Sequence, residues 1–154
     1  MSVMEENEIY VVVGEVMVLS ARIEACLESC ITACLPEASP IASGPVLRRL
    51  NFTNQIAILN ELVQGLYNRR DTTLVEFRRW LRRLKRIRGR RNDLVHQVLK
   101  AARSCEDLGR WKSEIERMRE ECTQAPHWAQ ALRTRQLIRG QSLCDSGPVA
   151  LAVL

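Results

Sequence analysis

A short segment in the middle of the chain combines an arginine, an amide and an imidazole. It runs from Arg86 to Gln97, where a basic run passes into an apolar stretch that carries His96. On a helix, Asn92 and His96 lie one turn apart on the same face, whereas Arg91 and His96 lie about 140° apart. An imidazole can take or give a proton near neutral pH, and a guanidinium stays charged and binds phosphate oxygens as a planar fork. These residue types suit chemistry at a phosphodiester.

The segment Arg91-Asn92-Asp93-Leu94-Val95-His96 resembles the motif of HEPN domains, which is an arginine, four to six residues and a histidine, with a polar residue directly after the arginine. HEPN domains are small helical bundles, and many are metal-independent RNases. The resemblance implies a homodimer in which two motifs face each other across a two-fold axis. It also implies attack by the RNA 2'-hydroxyl, which leaves a 2',3'-cyclic phosphate and a 5'-hydroxyl.

The predicted catalytic residues are Arg91, His96 and Asn92. His96 would transfer protons, Arg91 would stabilise the charge that grows on phosphorus, and Asn92 would orient the imidazole or a phosphate oxygen. The chain has Gln97-Val98 where HEPN toxins silenced by a nucleotidyltransferase commonly carry the modified tyrosine, so the resemblance does not extend to that route of silencing. Glu24 is similar to an acidic residue of the first HEPN helix, although we prefer to interpret it as a surface glutamate that pairs with Arg22.

Positive charge is concentrated around this motif. The net charge of the chain is +5, but residues 69–91 contain eleven basic and two acidic residues, a local net charge of +9. Such a field favours a polyanion such as RNA and predicts strongly salt-dependent binding. The predicted RNA-binding residues are Lys85, Arg82, Arg88 and Arg90. The alternative is a solvated helix face with ion pairs between subunits.

Length and composition favour a single helical domain. The chain has 154 residues with only 7 Gly and 5 Pro, and its abundant Leu, Arg, Glu and Ala favour helix over sheet. A chain of this size can bury about 68 to 70% of its unfolded surface, so it needs no metal or disulfide to stabilise its core. We expect an all-α protein, with a four- to five-helix up-and-down bundle over residues 1–140 and a loose tail over 141–154.

Apolar periodicity places the first two helices. The first is expected over residues 6–34, where two flanks are apolar; that is more than one neighbour requires and favours a central helix or a subunit interface. Residues 36–45 contain three prolines and are expected to form a loop. Asn51 or Thr53 is expected to cap the second helix.

Asp71 or Thr72 is expected to cap the third helix. Its apolar seam is expected to consist of Leu74, Phe77, Leu81 and Leu84. The same spacing, continued, would put Arg88 and Arg91 among core residues, where an unpaired guanidinium is very costly. Either the helix breaks near Gly89, or these arginines face an interface or a ligand.

Two further long helices are expected, over about 92–104 and 106–124. In the second of them, Glu114 and Glu121 are expected to point outward, and Pro126 is expected to interrupt the chain before a last short helix.

Cys26, Cys30 and Cys34 recur every four residues on the first helix. Three thiolates in a stripe could hold a soft metal, but reduced cysteine behaves as a small apolar residue, and we prefer a core role. The sequence contains no carboxylate cluster and no Gly-rich phosphate loop, so we predict no metal and no other cofactor.

The acidic start of the chain, Met1 to Glu8, does not resemble a secretory signal, and the apolar stretch Ile9 to Leu19 is too short to span a bilayer. We expect a cytoplasmic protein with reduced cysteines.

The first functional hypothesis is an endoribonuclease of the toxin–antitoxin or phage-defence kind, with RNA, a second copy and an antitoxin protein as partners. The second is a catalytically silent HEPN-type module that binds RNA or a nucleotide, and the third is a helical adaptor.

Overall fold

The structure is a computed structural model that describes residues 6–35, 40–47, 49–99 and 105–145. Within these ranges it contains helices and no strand, which confirms the predicted all-α bundle. The helices are α1 Glu6–Cys34, α2 Pro40–Leu47, α3 Phe52–Leu66, α4 Thr72–Leu99 and α5 Cys105–Asp145. The loose tail predicted over residues 141–154 is wrong for residues 141–145, which belong to α5. Residues 146–154 lie outside the described residues.

Side-chain caps fix where α3 and α4 begin, as the sequence predicted. The Asn51 side chain accepts a hydrogen bond from the backbone N–H of Asn54 at 2.9 Å. The Asp71 carboxylate accepts one from the backbone N–H of Thr73, also at 2.9 Å. Each bond satisfies a donor that the first helical turn leaves without an intrahelical partner.

Contacts between the long helices give their directions. Arg83 binds Glu121 while Arg90 binds Glu114, so α4 and α5 are antiparallel. Arg78 binds Asn60 in α3 while Arg88 lies over the ring of Phe52, so α3 and α4 are antiparallel too. The helix α1 packs mainly on α5 and runs in the same direction. The basic helix α4 is therefore the antiparallel member of the bundle.

Aromatic side chains fill the centre of the core. Phe77 lies 5.5 Å from Trp80 and 5.1 Å from Trp128, measured between ring centroids. Trp80 is fully buried, although the predicted apolar seam of this helix did not include it. Pairs of this kind stabilise a core by about 0.5–1.5 kcal/mol beyond the burial of their area. This cluster anchors the first half of α4 against α5.

The loop predicted over residues 36–45 is wrong in its second half, because residues from Pro40 belong to α2. Pro45 lies inside this helix and cannot donate a backbone hydrogen bond. Leu47, at the end of α2, is buried in the main core. The burial of this leucine offsets the lost hydrogen bond. Residues 36–39 lie outside the described part of the chain.

Of the two alternatives for the third predicted helix, the break near Gly89 is wrong, since α4 continues through it as far as Leu99. A glycine inside a helix costs about 1 kcal/mol relative to alanine. Ile87 and Leu94, on either side of it, are both buried, and fully burying each contributes about 1.5–3 kcal/mol. Packing on both sides therefore outweighs the local preference. Residues 100–104, the end of the predicted fourth helix, are not described.

The interruption expected at Pro126 does not occur either, because α5 is continuous from Cys105 to Asp145. A proline in a helix interior costs about 3 kcal/mol. Met118, Ala125 and Leu132, which lie before and after the proline along one side of α5, are buried. The long contact of these side chains with the core holds the helix together on both sides of Pro126.

The cysteine stripe of α1 faces the core, as preferred from the sequence. Cys30 and Cys34 are buried. Burial raises the pKa of the Cys30 thiol to about 12, and the neighbouring Cys34 and Cys26 add to the shift. Burial also raises the pKa of Cys34 to about 12. These thiols are therefore protonated apolar groups of the core.

The buried thiols predict a loss of stability in alkali. The Cys30 thiol ionises near pH 9 in the unfolded chain but keeps its proton up to about pH 12 in the fold. Its stabilising contribution is thus complete below pH 9 and disappears as the pH rises towards 12. Between pH 8 and 10.5, Cys30 alone should lower the free energy of unfolding by about 1–2 kcal/mol.

Thermal unfolding with a reducing agent at the two pH values measures this change. The variant Cys30→Ala should lose less stability between pH 8 and 10.5 than the wild type loses. Equal losses in both proteins would contradict the assignment.

Candidate functional site

His96 lies on the exposed face of α4, in line with exposed basic side chains. Counted at 100° per residue, His96 is about 20° from Lys85 and about 40° from Arg82 around the helix axis. His96, Lys85 and Arg82 are all exposed. The exposed Gly89 lies between Lys85 and His96, and because it has no side chain it does not cover the surface between these two residues. One face of α4 thus carries both the imidazole and a row of cations.

Arg91 lies on the opposite side of α4, towards α1, and is half-buried. One of its terminal nitrogens donates a hydrogen bond to the side chain of Asn92 at 2.9 Å. Its Nε atom is buried and has no hydrogen-bond partner among the described residues. Asn92 therefore binds the guanidinium, whereas the sequence had suggested the imidazole or a phosphate oxygen as its partner.

A second arginine shares this region with Arg91. Arg88 forms an ion pair of 2.7 Å with Glu24 of α1 and lies 5.5 Å from the ring centre of Phe52. Burial lowers the pKa of the Arg91 guanidinium, the charge of Arg88 lowers it further, and the Glu24 carboxylate opposes both. Glu24 forms its ion pair with Arg88, and Arg91 has none within the described residues, so this region keeps a net positive charge that favours an anion.

The partner expected for Glu24 is wrong, because Glu24 binds Arg88 and not Arg22. The helix α4 does not break, so the alternative left for Arg88 and Arg91 is that they face an interface or a ligand. Arg88 faces the interface between α1 and α4 within the chain, where its ion pair with Glu24 compensates its charge.

Two other arginines of α4 bind carboxylates of α5. Arg83 binds Glu121 at 2.6 Å and Arg90 binds Glu114 at 2.6 Å. Both glutamates are buried, at 7% and 6% exposure, so the expectation that they point outward is wrong. A buried carboxylate needs a partner, and the arginines of the neighbouring helix provide it. These arginines stabilise the contact between α4 and α5.

Four cations remain on the exposed face: Arg79, Arg82, Lys85 and Arg86. None of them has a hydrogen-bond or ion-pair partner within the described ranges. Their stems line a shallow groove of about 590 Å³, and a second groove of about 600 Å³ runs between this face and α3. We call these four residues the basic face of α4.

The structure therefore divides the predicted RNA-binding residues into two pairs. Lys85 and Arg82 belong to the basic face, whereas Arg88 and Arg90 bind glutamates of the same chain. Arg79 and Arg86 are exposed members that were not among the predicted site residues. Their spacing of three and four residues from Arg82 is the signal that could have found them.

A further cleft of about 620 Å³ lies beside Arg90, between α4 and α5. Its lining includes Arg110 and Arg117, with Asp93 and the buried Glu114 between the cations. Glu114 binds both Arg90 and Arg117. The carboxylates compensate most of the positive charge, so this cleft is less favourable to an anion than the basic face.

The catalytic residues do not all converge within one chain. Arg91 faces α1, while His96 faces solvent on the side of the basic face. The other histidine, His127, is exposed on α5 next to Trp128, which packs on Phe77 and Trp80. From Trp80 to His96 is about 24 Å along α4. His127 is therefore too distant to act with His96 in the same chain.

Comparison of the chain with protein-family models, with curated proteins and with solved structures found no match. Among the described residues, no group of three or more His, Cys, Asp and Glu side chains could hold a metal ion. None of the described helices is both long enough and apolar enough to cross a membrane.

Proposed function

We propose that this protein binds RNA through the basic face of α4 and cleaves it, without a metal, at His96. The observation that carries the proposal is the row of four exposed cations on α4, none of which has an ion-pair partner within the described residues. The exposed imidazole of His96 lies further along the same side of this helix. Phosphates would neutralise these cations and release counterions. Such contacts position a backbone and give little base selectivity.

The cleavage step uses residues near the carboxyl end of α4. His96 takes the proton of the 2'-hydroxyl or gives one to the departing 5'-oxygen. The 2'-oxygen bonds to phosphorus as the bond from phosphorus to the 5'-oxygen breaks, which leaves a 2',3'-cyclic phosphate and a 5'-hydroxyl. Because Arg91 lies about 140° from His96 around α4, the guanidinium that stabilises the negative charge on phosphorus is that of Arg91 in a second copy of the chain. Asn92 orients the guanidinium through the hydrogen bond that joins them.

A complete acid–base cycle requires a second proton-transfer group. His127 is too distant, so a second copy of the chain supplies it when the carboxyl ends of the two α4 helices meet on the RNA. The resemblance to HEPN RNases supports this composite arrangement. It also supports a role in a toxin–antitoxin or phage-defence system, in which an antitoxin protein would be a further partner.

A catalytically silent RNA-binding protein is the second candidate function. Its support is that the basic face alone accounts for binding, whereas Arg91 and His96 lie about 140° apart around α4. Both functions require the basic face, and only the first requires His96.

The binding part of the proposal is tested by titrating the protein with fluorescent single-stranded RNA at several salt concentrations. We expect the logarithm of the binding constant to fall linearly with the logarithm of salt, with a slope of about −3 for four contacts on a single strand. A binding constant that does not change with salt, or no binding at low salt, would reject the basic face as the RNA site and favour an adaptor function.

A further inference from the structure

The outer face of α1 is apolar and exposed. Val11 is 66% exposed, Val18 is 56% exposed and Met17 is 43% exposed. The opposite face of α1 is buried in the core, with Val16, Ile23 and other residues almost fully covered. A helix that is apolar on both sides leaves one apolar face exposed to solvent, and an exposed apolar patch of this kind is typical of an interaction surface.

The outer face has the spacing of a helix-pairing seam. Exposed residues follow one another in steps of three, four, three and four: Val11, Gly14, Val18, Ala21 and Ala25. This is the repeat by which two α-helices pack along their length. The residues of α1 that are buried in the core, among them Val12, Val16, Leu19, Ile23 and Leu27, are a different set, so this helix carries two such seams.

Gly14 has no function in the packing of its own chain. A Cβ atom added there would have no neighbour within 4 Å among the described residues, and a glycine in a helix costs about 1 kcal/mol relative to alanine. Close approach of a second helix would use the space that this glycine leaves. If that helix is an antiparallel α1 of a second copy, Gly14 packs opposite Val18 and Ala21 opposite Val11. Each layer then joins one large and one small side chain.

Charges along one edge of the seam select the antiparallel orientation. Glu8, Glu15 and Arg22 follow at intervals of seven residues on this edge. Glu15 binds Arg119 of its own chain, whereas the exposed Glu8 and Arg22 form no ion pair within the described part of the chain. They are about 21 Å apart along α1, too far to bind each other. Antiparallel pairing places Glu8 of each copy beside Arg22 of the other, and parallel pairing does not. The two Glu15 carboxylates then meet at the two-fold axis, where Arg119 of each chain compensates its own Glu15.

From these observations we infer that the outer face of α1 binds the same face of a second copy in an antiparallel homodimer. The inference does not rest on the proposed RNA cleavage. The basic face points away from α1, because the opposite side of α4 contacts α1 through Arg88 and Glu24. This pairing therefore leaves the basic face and His96 uncovered, and contact between the carboxyl ends of two α4 helices would be a separate event.

Sedimentation velocity of the full chain without RNA, over a range of about 1–100 µM, tests the inference. We expect a dimer for the wild type and a monomer for Val18→Glu. The matched control is Val46→Glu, which changes an equally exposed valine on α2 and should remain dimeric. Gly14→Leu should also be monomeric, because the added side chain fills the space of the opposing valine. Circular dichroism shows whether each variant is folded.

Charge exchange tests the orientation. Glu8→Arg and Arg22→Glu should each raise the dimer dissociation constant about ten-fold, since each places like charges at two symmetry-related contacts. The double variant should return close to the wild-type value. A monomeric wild type, or a dimeric and folded Val18→Glu, would overturn the inference. A double variant as weak as the single ones would overturn the antiparallel arrangement.

Discussion

His96→Ala is expected to lower the rate of RNA cleavage by roughly 10²–10⁴-fold, the usual contribution of a general acid or base. The imidazole is exposed at the end of α4, so its removal should leave the fold and the binding of RNA unchanged. The measurement uses single-stranded RNA in EDTA, followed by analysis of the fragment ends. We expect 2',3'-cyclic phosphates from the wild type.

His127→Ala is the matched control, because His127 is the only other histidine of the chain and is also exposed. It should cleave as the wild type does. Arg91→Ala should lose about 10²–10³-fold, the effect of removing a donor to the transition state. If both histidine variants cleave equally, the nuclease is a contaminant or the site is elsewhere. If the wild type binds RNA and does not cleave it, the silent RNA-binding protein is the better description.

Charge reversal on the basic face, with Arg82→Glu and Arg86→Glu together, is expected to weaken RNA binding by about 100-fold or more at low salt. Two side chains that attract phosphates are replaced by two that repel them. The slope of the logarithm of the binding constant against the logarithm of salt should decrease by the amount expected for about two phosphate contacts. Neither arginine has a partner in the described part of the chain, so the variant should unfold at the same temperature as the wild type.

Arg49→Glu with Arg133→Glu is the control for this double variant. It makes the same change in net charge at two exposed arginines outside α4. Its RNA affinity should fall only slightly, because the change in the overall field is small at the distance of the basic face. Equal losses in the two double variants would show that RNA responds to net charge alone and not to the face of α4.

The sequence by itself determined most of the helical architecture. The bounds of α1 were predicted correctly, and Asn51 and Asp71 were each one of two residues predicted to cap α3 and α4, because apolar periodicity and side-chain capping act within a few residues. The concentration of charge before the motif was also evident, and so was the core role of the cysteines. Each of these features depends on neighbours along the chain.

Tertiary structure decided where helices continue and which arginines are compensated. Gly89 and Pro126 are local signals for a break, but buried side chains on either side of each hold α4 and α5 continuous. Whether an arginine is available to a ligand depends on a carboxylate far away in sequence: Arg88 has Glu24 and Arg90 has Glu114, whereas Arg82 has none within the described residues. The periodicity of one helix does not show which carboxylates a neighbouring helix presents to it. Contacts between the helices therefore decide which cations of α4 remain available on the basic face.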